Sequence, residues 1–458
     1  MHSINMDREP KDVSISTNSA VQKYLMTSLK PCIGTSWLRG IAVLIVIGIG
    51  PSAALATSLA SNTVNQTAPA SLGAAYAPNI KKQPSVAAMT ALGRVMFFDR
   101  TLSASGKLSC ASCHSPDHAF GPPNNLAVQL GGKKMATLGT RAVPSLRYLQ
   151  NVPAFTEHFY DNDGDDSIDA GPTGGRNWDG RASSAHDQAA IPLLSAHEMG
   201  NLNPAAVVEK LKKSSYAVLF RQTLGQDIFD HPQSAFTQAT MALEIFQESP
   251  ADFYPYNSKY DAFLRNQTAL NKQELRGLAL FNDPAKGNCA SCHISAIKPD
   301  GGFPQFTDYG LIAIGVPRNM HIPSNADPAF FDMGLCGPDR TDLRDKTEYC
   351  GLFRTPSLRN VATRRVFFHN GAFKSLEQVL KFYVERDTQP QKWYPRGKNG
   401  QVMKFNDLPL QYHANVNVEP PFDRKIGGSP ALTDAEIKDV IVFLKTLNDG
   451  FTPLAVKK

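Results

Sequence analysis

The pentad Cys-x-x-Cys-His occurs twice, as Cys110-Ala111-Ser112-Cys113-His114 and as Cys289-Ala290-Ser291-Cys292-His293. No other feature restricts the fold as strongly. Each copy is the attachment signature of a c-type haem, in which two thiols add to the porphyrin vinyl groups and the adjacent imidazole takes one axial face of the iron. Two other chemistries use close Cys pairs. A zinc knuckle wants two more Cys or His in tight spacing, and a thioredoxin-like redox pair has no obligatory His. The sequence therefore points to two covalently bound haem c groups, with His114 and His293 as axial ligands.

At 458 residues the chain is long enough for two or more domains, each with its own core. The net charge is +6, and residues 1–56 carry five Lys/Arg and three Asp/Glu, so their removal leaves +4. Four haem propionates would offset that further. No basic run or aromatic array argues for nucleic acid. Residues 41–50 (IAVLIVIGIG) are apolar, preceded by Lys30 and Arg39 and followed by Pro51 and Ser52-Ala53-Ala54-Leu55-Ala56. This pattern reads as a signal peptide over 1–56 cleaved after Ala56, with the true start at Met26 giving a more typical length. The apolar run is too short for a comfortable membrane span, so no stable membrane insertion is expected; an uncleaved anchor is the alternative. Export to the periplasm agrees with the cysteines. Beyond Cys32 and the haem motifs only Cys336 and Cys350 remain, 14 apart in a Gly/Pro/Asp-rich loop, and outside the cytoplasm they should pair. An unstrained bridge there contributes about 3 kcal/mol.

Residues 57–84 are rich in Ala, Ser and Thr and read as a flexible mature N-terminus. Helical periods appear over 85–98, 204–211, 215–224, 233–247 and 375–386. Capping boxes at Asn271-Lys272-Gln273-Glu274 and Thr433-Asp434-Ala435-Glu436 open two more. Residues 121–177 and 294–353 are loop-rich, and few stretches alternate like strands. The expected fold is mainly α: two cytochrome c-like haem domains with long loops, over 85–262 and 263–458. The halves echo each other, since Val143-Pro144-Ser145-Leu146-Arg147 recurs as Thr355-Pro356-Ser357-Leu358-Arg359.

From residue 85 to 450 the chain resembles the bacterial di-haem cytochrome c peroxidase family, including its MauG-like branch. The resemblance rests on LGRVMFFDRTLSASGKLSCASCH (92–114), NWDGRA (177–182), AHEMG (196–200), RGLALF (276–281), FTDYGLIAIGVP (306–317) and FRTPSLRNVATRRVFFHNGAF (353–373). It implies a peroxidatic N-terminal haem whose open face is lined by Gln188, Pro192 and Glu198, at the family's spacings of four and ten. Breaking the O–O bond of hydrogen peroxide requires moving a proton from the near to the far oxygen, and a carboxylate over the iron can do both transfers. Glu198 is then the general acid/base and Gln188 its orienting partner; without the haem context both would read as solvated surface residues. Pro192 is expected to end a helix begun at Ser184 and turn the chain, placing Glu198 in a loop. Trp178 occupies the family's position between the haems, suited to relaying electrons.

The resemblance also makes the second haem the electron-transfer site. Many members carry Met as its second axial ligand, 14 residues after the position of His369; this chain has Tyr383, as MauG-like members do. A phenolate oxygen is a hard anionic donor that stabilises oxidised iron and lowers its potential. Met403 or Met333 would be the ligand if Tyr383 were only part of a helix's apolar face. His369 reads as a hydrogen-bonding residue near the haem interface. Many members block the first haem with a His soon after its motif, but residues 119–157 contain none, so an open site is expected. The family's calcium-binding Asn is replaced in Arg141-Ala142-Val143-Pro144. An acidic run bearing Asp161, Asp163, Asp165 and Asp169 suits a calcium ion, with a solvated loop as the alternative. Two functions follow from the resemblance. In one, hydrogen peroxide is reduced with electrons from a small cytochrome c or cupredoxin. In the other, a MauG-like enzyme directs the oxidising equivalents to a protein side chain or other organic substrate. A pure electron-transfer cytochrome is the third.

Overall fold

The helix Val86–Phe98 crosses the helix Pro232–Gln247, and the helix Lys272–Asn282 crosses Asp434–Lys445 in the same way. One glycine makes each crossing. A Cβ on Gly93 would collide with the Ala242 carbonyl and come within 2.8 Å of Phe246 Cβ; on Gly277 it would collide with the Asp439 carbonyl and come within 2.8 Å of Phe443 Cβ. Four residues on, Phe97 meets Phe246 edge to face at 5.4 Å, and Phe281 meets Phe443 at 5.3 Å. The chain thus packs the same small-residue step and the same aromatic pair twice. This is a computed structural model, and it describes residues 83–160 and 169–453; the signal peptide, Met26 and residues 57–82 lie outside them.

Secondary structure among the described residues is mainly helical, with two-residue strand pairs Leu130–Gly131 with Thr137–Leu138 and Leu311–Ile312 with Phe353–Arg354. The two sequence capping boxes close as expected. Asn271 accepts from the Glu274 N–H while the Glu274 carboxylate accepts from the Asn271 N–H, and Thr433 with Glu436 does the same. Two main cores form. One draws on residues 89–253 and the other on 260–447, with a satellite around Leu335 and Tyr349. That satellite holds the loop closed by the Cys336–Cys350 disulfide. All these residues belong to one unit, Ser71–Lys458.

One expectation fails. Pro192 does not end its helix, which runs from Ala185 to Leu194 with the proline inside. At that position proline removes a single N–H in the final turn, and the Ser195 N–H still closes on Ile191 O at 2.9 Å. The chain turns three residues later than expected. Met199 N–H bonds Pro192 O, Gly200 N–H bonds Ser195 O, and Asn201 Nδ2 bonds both Leu102 O and Leu193 O. Glu198 stands in that turn.

The crossings give a stability prediction. Gly93→Ala and Gly277→Ala should each destabilise the protein by at least about 2 kcal/mol, because backbone carbonyls cannot step aside. Thermal unfolding of the haem-loaded protein checks this; a change below about 0.5 kcal/mol, typical of surface substitutions, would contradict it.

Candidate haem and peroxide sites

The histidines of both motifs are held by one device. His114 Nδ1 donates to Phe120 O at 3.0 Å, and His293 Nδ1 donates to Phe306 O at 2.8 Å. Each carbonyl belongs to a phenylalanine with positive φ, 53° and 55°, an uncommon conformation for a bulky residue that its surroundings must enforce. The repeated Pro-Ser-Leu-Arg segment enforces it. Ser145 Oγ donates to Ala119 O at 2.6 Å and Leu146 N–H to Phe120 O; Ser357 Oγ donates to Gln305 O at 2.7 Å and Leu358 N–H to Phe306 O. The arginines that follow anchor the segments, Arg147 on Asp449 and Arg359 on the fully buried Asp261. Asp449 also accepts from Tyr148 and Asn360, so the two arms meet on one carboxylate.

These residues fit haem c. Because Nδ1 must carry a proton to donate to a carbonyl, each neutral ring keeps its Nε2 lone pair for iron. Burial lowers both imidazoles to a pKa of about 4, so they are neutral at ordinary pH. Burial pushes the Cys110 and Cys289 thiols up to about 12 and Cys113 to about 11, the reverse of the depressed values of a redox-active pair. Among the described residues no group of three or more His, Cys, Asp or Glu is arranged for a metal ion, so neither pair has a zinc ligand set.

A cavity of about 580 Å³, a cofactor-sized volume, is lined by Cys289, Cys292, His293, Tyr383, Trp178 and His369. Tyr383 lies on the helix Leu376–Glu385, between Phe368 and Phe422, and its oxygen is electrostatically coupled to both thiols. Burial pushes its phenol up, so a phenolate there needs a cation beside it. Among the described residues no methionine lines the cavity; Met403 is half exposed, and Met333 packs against the satellite core. His369 stacks flat on Phe353 with ring centroids 3.5 Å apart, and its Nε2 is buried without a partner. Trp178 spans the halves, donating from Nε1 to Ala142 O at 2.7 Å and accepting from Arg354 N–H at 2.8 Å.

Near the first motif, Gln188 sits on the helix Ala185–Leu194 with its amide 3.5 Å from Asn177 Oδ1. Glu198 is exposed to solvent, although the protein around it partly desolvates its carboxyl. Burial raises its carboxyl above the usual range, Arg181 draws it back, and its charge reaches the Cys110 and Cys113 thiols. Gly131 fits directly against its backbone, and Gly132 N–H bonds its carbonyl at 2.7 Å. The structure thus brings Glu198 to the first motif and Tyr383 to the second, with Trp178 on the second cavity's wall. Of the acidic run, Asp161, Asp163 and Asp165 lie outside the described residues. The Asp169 carboxylate is taken by His158 Nδ1 and the Phe159 and Gly171 N–H groups.

Comparison with known proteins agrees with this geometry. Residues 87–269 match the family described as di-haem cytochrome c peroxidase. The methylamine utilization protein MauG of Paracoccus denitrificans (strain Pd 1222) is 31% identical over 381 residues, covering 80% of this chain and 90% of MauG. The cytochrome c551 peroxidase of Nitrosomonas europaea is 27% identical over 301 residues, covering 65% and 73%. The crystal structure of the diheme peroxidase BthA from Burkholderia thailandensis E264 aligns with a TM-score of 0.70 at 37% identity, covering 80% of this chain and 87% of BthA. A repeated axial-histidine clamp, four attachment thiols and these relatives lead to one assignment: the chain belongs to the di-haem cytochrome c peroxidase family that includes MauG.

Proposed function

We propose that the protein is an exported periplasmic enzyme that reduces hydrogen peroxide to water at its first haem, with electrons from a small cytochrome c or cupredoxin entering through the second. Family membership makes it a peroxide-acting oxidoreductase with two haem c groups. When bound, the haems supply the iron that exchanges electrons with oxidant and donor, held by His114 and His293. Residues 85–262 and 263–458 would each form one cytochrome c-like domain, a division supported by the repeated glycine crossing and histidine clamp. Export is supported by the leader pattern in 1–56 and by the Cys336–Cys350 disulfide.

The observation that carries the reading is Glu198, a carboxylate in the turn after the helix Ala185–Leu194 whose field reaches the first attachment thiols. It would take the proton from one peroxide oxygen and deliver it to the other, while Gln188 orients the oxidant by hydrogen bonding. With two protons and two electrons the products are two waters. Trp178 would relay the electrons, its indole fixed by the Ala142 carbonyl. Tyr383 favours a second reading: a hard phenolate donor disfavours electron storage at the second haem, and the oxidising equivalents would go to a protein side chain or other organic substrate, as in MauG-like enzymes.

Glu198→Gln should slow the reaction with peroxide by at least about 100-fold, the lower end of general acid/base contributions; stopped-flow mixing measures it, and an unchanged rate removes Glu198 from the role. Because the carboxylate form accepts the proton, the rate should fall as pH drops through the raised Glu198 pKa, with its midpoint above 4.5. Arg181→Gln removes the charge that favours the carboxylate, so it should move that midpoint higher still. Tyr383→Phe should alter the optical spectrum and potential of the second haem alone. A silent spectrum would reassign the ligand.

A further inference from the structure

Two buried guanidinium groups at the seam between the halves, Arg176 and Arg354, and a half-buried third, Arg364, form no ion pair among the described residues. Arg176 is 8% exposed and Arg354 6%. Among the described residues neither they nor Arg364 forms an ion pair, whereas nearby Arg141, Arg318 and Arg359 are all matched to aspartates. Arg176 gives Nη2 to Leu149 O at 3.2 Å, and its Nε is buried without a partner. Arg354 gives Nε to Asn177 O at 3.2 Å and leaves Nη1 buried and unpartnered. Among the described residues Arg364 gives its hydrogen bonds to two backbone carbonyls, Val366 O at 3.2 Å and Val143 O at 3.0 Å. Tyr309 Oη, which feels both Arg176 and Arg354, is also buried and unpartnered.

A buried charge without an ion pair is costly, and Arg176 and Arg354 repel each other as well. Burial accordingly lowers Arg354 and Arg364 to about 10, while aspartates hold Arg141 and Arg359 up. The chain's own acids fill the gap only in part: Glu244 and Glu248 act on Arg176 and Asp179 on Arg354 through space, without an ion pair among the described residues. Asp332 and Asp407 line the same cavity but are matched to Arg141 and Arg318, and Glu419 is exposed to water. Arg354 and Arg364 both line the cavity that holds Cys289, Cys292, His293 and Tyr383. A haem attached there carries propionates, planar carboxylates that a guanidinium fork receives through two parallel hydrogen bonds.

We infer that Arg354 and Arg364 are the receivers of haem propionates, with Arg176 and Tyr309 completing the polar site around Arg354. The inference rests on the two haems of the family and not on which donor or substrate they serve. It assigns the arginines a second effect. A fixed positive charge beside the porphyrin favours the reduced iron, so these residues would raise the potential that a Tyr383 ligand lowers.

Potentiometric titration of the fully haem-loaded protein tests this apart from turnover. Arg354→Gln should lower the midpoint of the second haem and Arg364→Gln that of at least one haem, since the Arg364 charge also reaches His114. Arg354→Lys and Arg364→Lys should recover most of each shift. Fully loaded Gln variants that titrate as wild type overturn the inference, whatever their peroxidase activity. If the Gln variants do not fold, a crystal structure of the wild-type holoprotein decides. A propionate oxygen within hydrogen-bonding distance of each guanidinium supports the assignment, and water or chloride in that place overturns it for that arginine.

Discussion

Everything in this protein is arranged around one hydrogen bond made twice, from an axial histidine Nδ1 to the carbonyl of a phenylalanine in the left-handed region. It fixes which ring nitrogen carries the proton, which way the ring faces, and therefore where iron must sit. The conformation it needs is unfavourable for a bulky side chain, by about 1–3 kcal/mol. Phe120 and Phe306 are held there by a serine hydroxyl donating to the preceding residue's carbonyl and a leucine N–H donating to the phenylalanine's own. The same solution in both halves, together with the Gly93 and Gly277 crossings, argues that one haem-binding unit was duplicated. The halves then diverged in the loops between these fixed points.

Charge at the seam follows a second rule. Arg141 is shared between Asp179 and Asp332, Arg181 between Asp179 and Asp339, and the Arg359 guanidinium lies over Tyr148 and Tyr256 while paired with Asp261. Buried pairs of this kind add little net stability over apolar packing, but breaking one is costly, so they fix the register of the halves. Against that matched background Arg176, Arg354 and Arg364 stand out. Among the described residues none of them has an ion pair, and four propionates would bring carboxylates to meet them.

Much of this was legible in the sequence, and what was not has a physical reason. The haem motifs and helix caps are local patterns, and the structure realises the caps residue by residue. The Pro-Ser-Leu-Arg echo was visible, but its purpose was not, because each serine grips a carbonyl 26 or 52 residues upstream. Gly93 and Gly277 sit inside recognised motifs, yet the need for glycine appears only when a second helix crosses. Pro192 misled because a proline reads as a helix end, whereas one missing N–H in a last turn is tolerated. Arg354 looks like a surface charge until its burial and its unpartnered Nη1 are seen, and Arg364 until it is found on the wall of the same cavity. The signal for them was the excess of arginines in a segment otherwise built to be internal.

The proposed function requires an asymmetry: one haem would keep a face open to peroxide near Glu198, and the other would be held by both His293 and Tyr383. Electron paramagnetic resonance of the fully loaded, oxidised protein tests it most directly. The account predicts one high-spin and one low-spin ferric signal in equal amount. Two low-spin signals would leave no place for peroxide to bind and would contradict it.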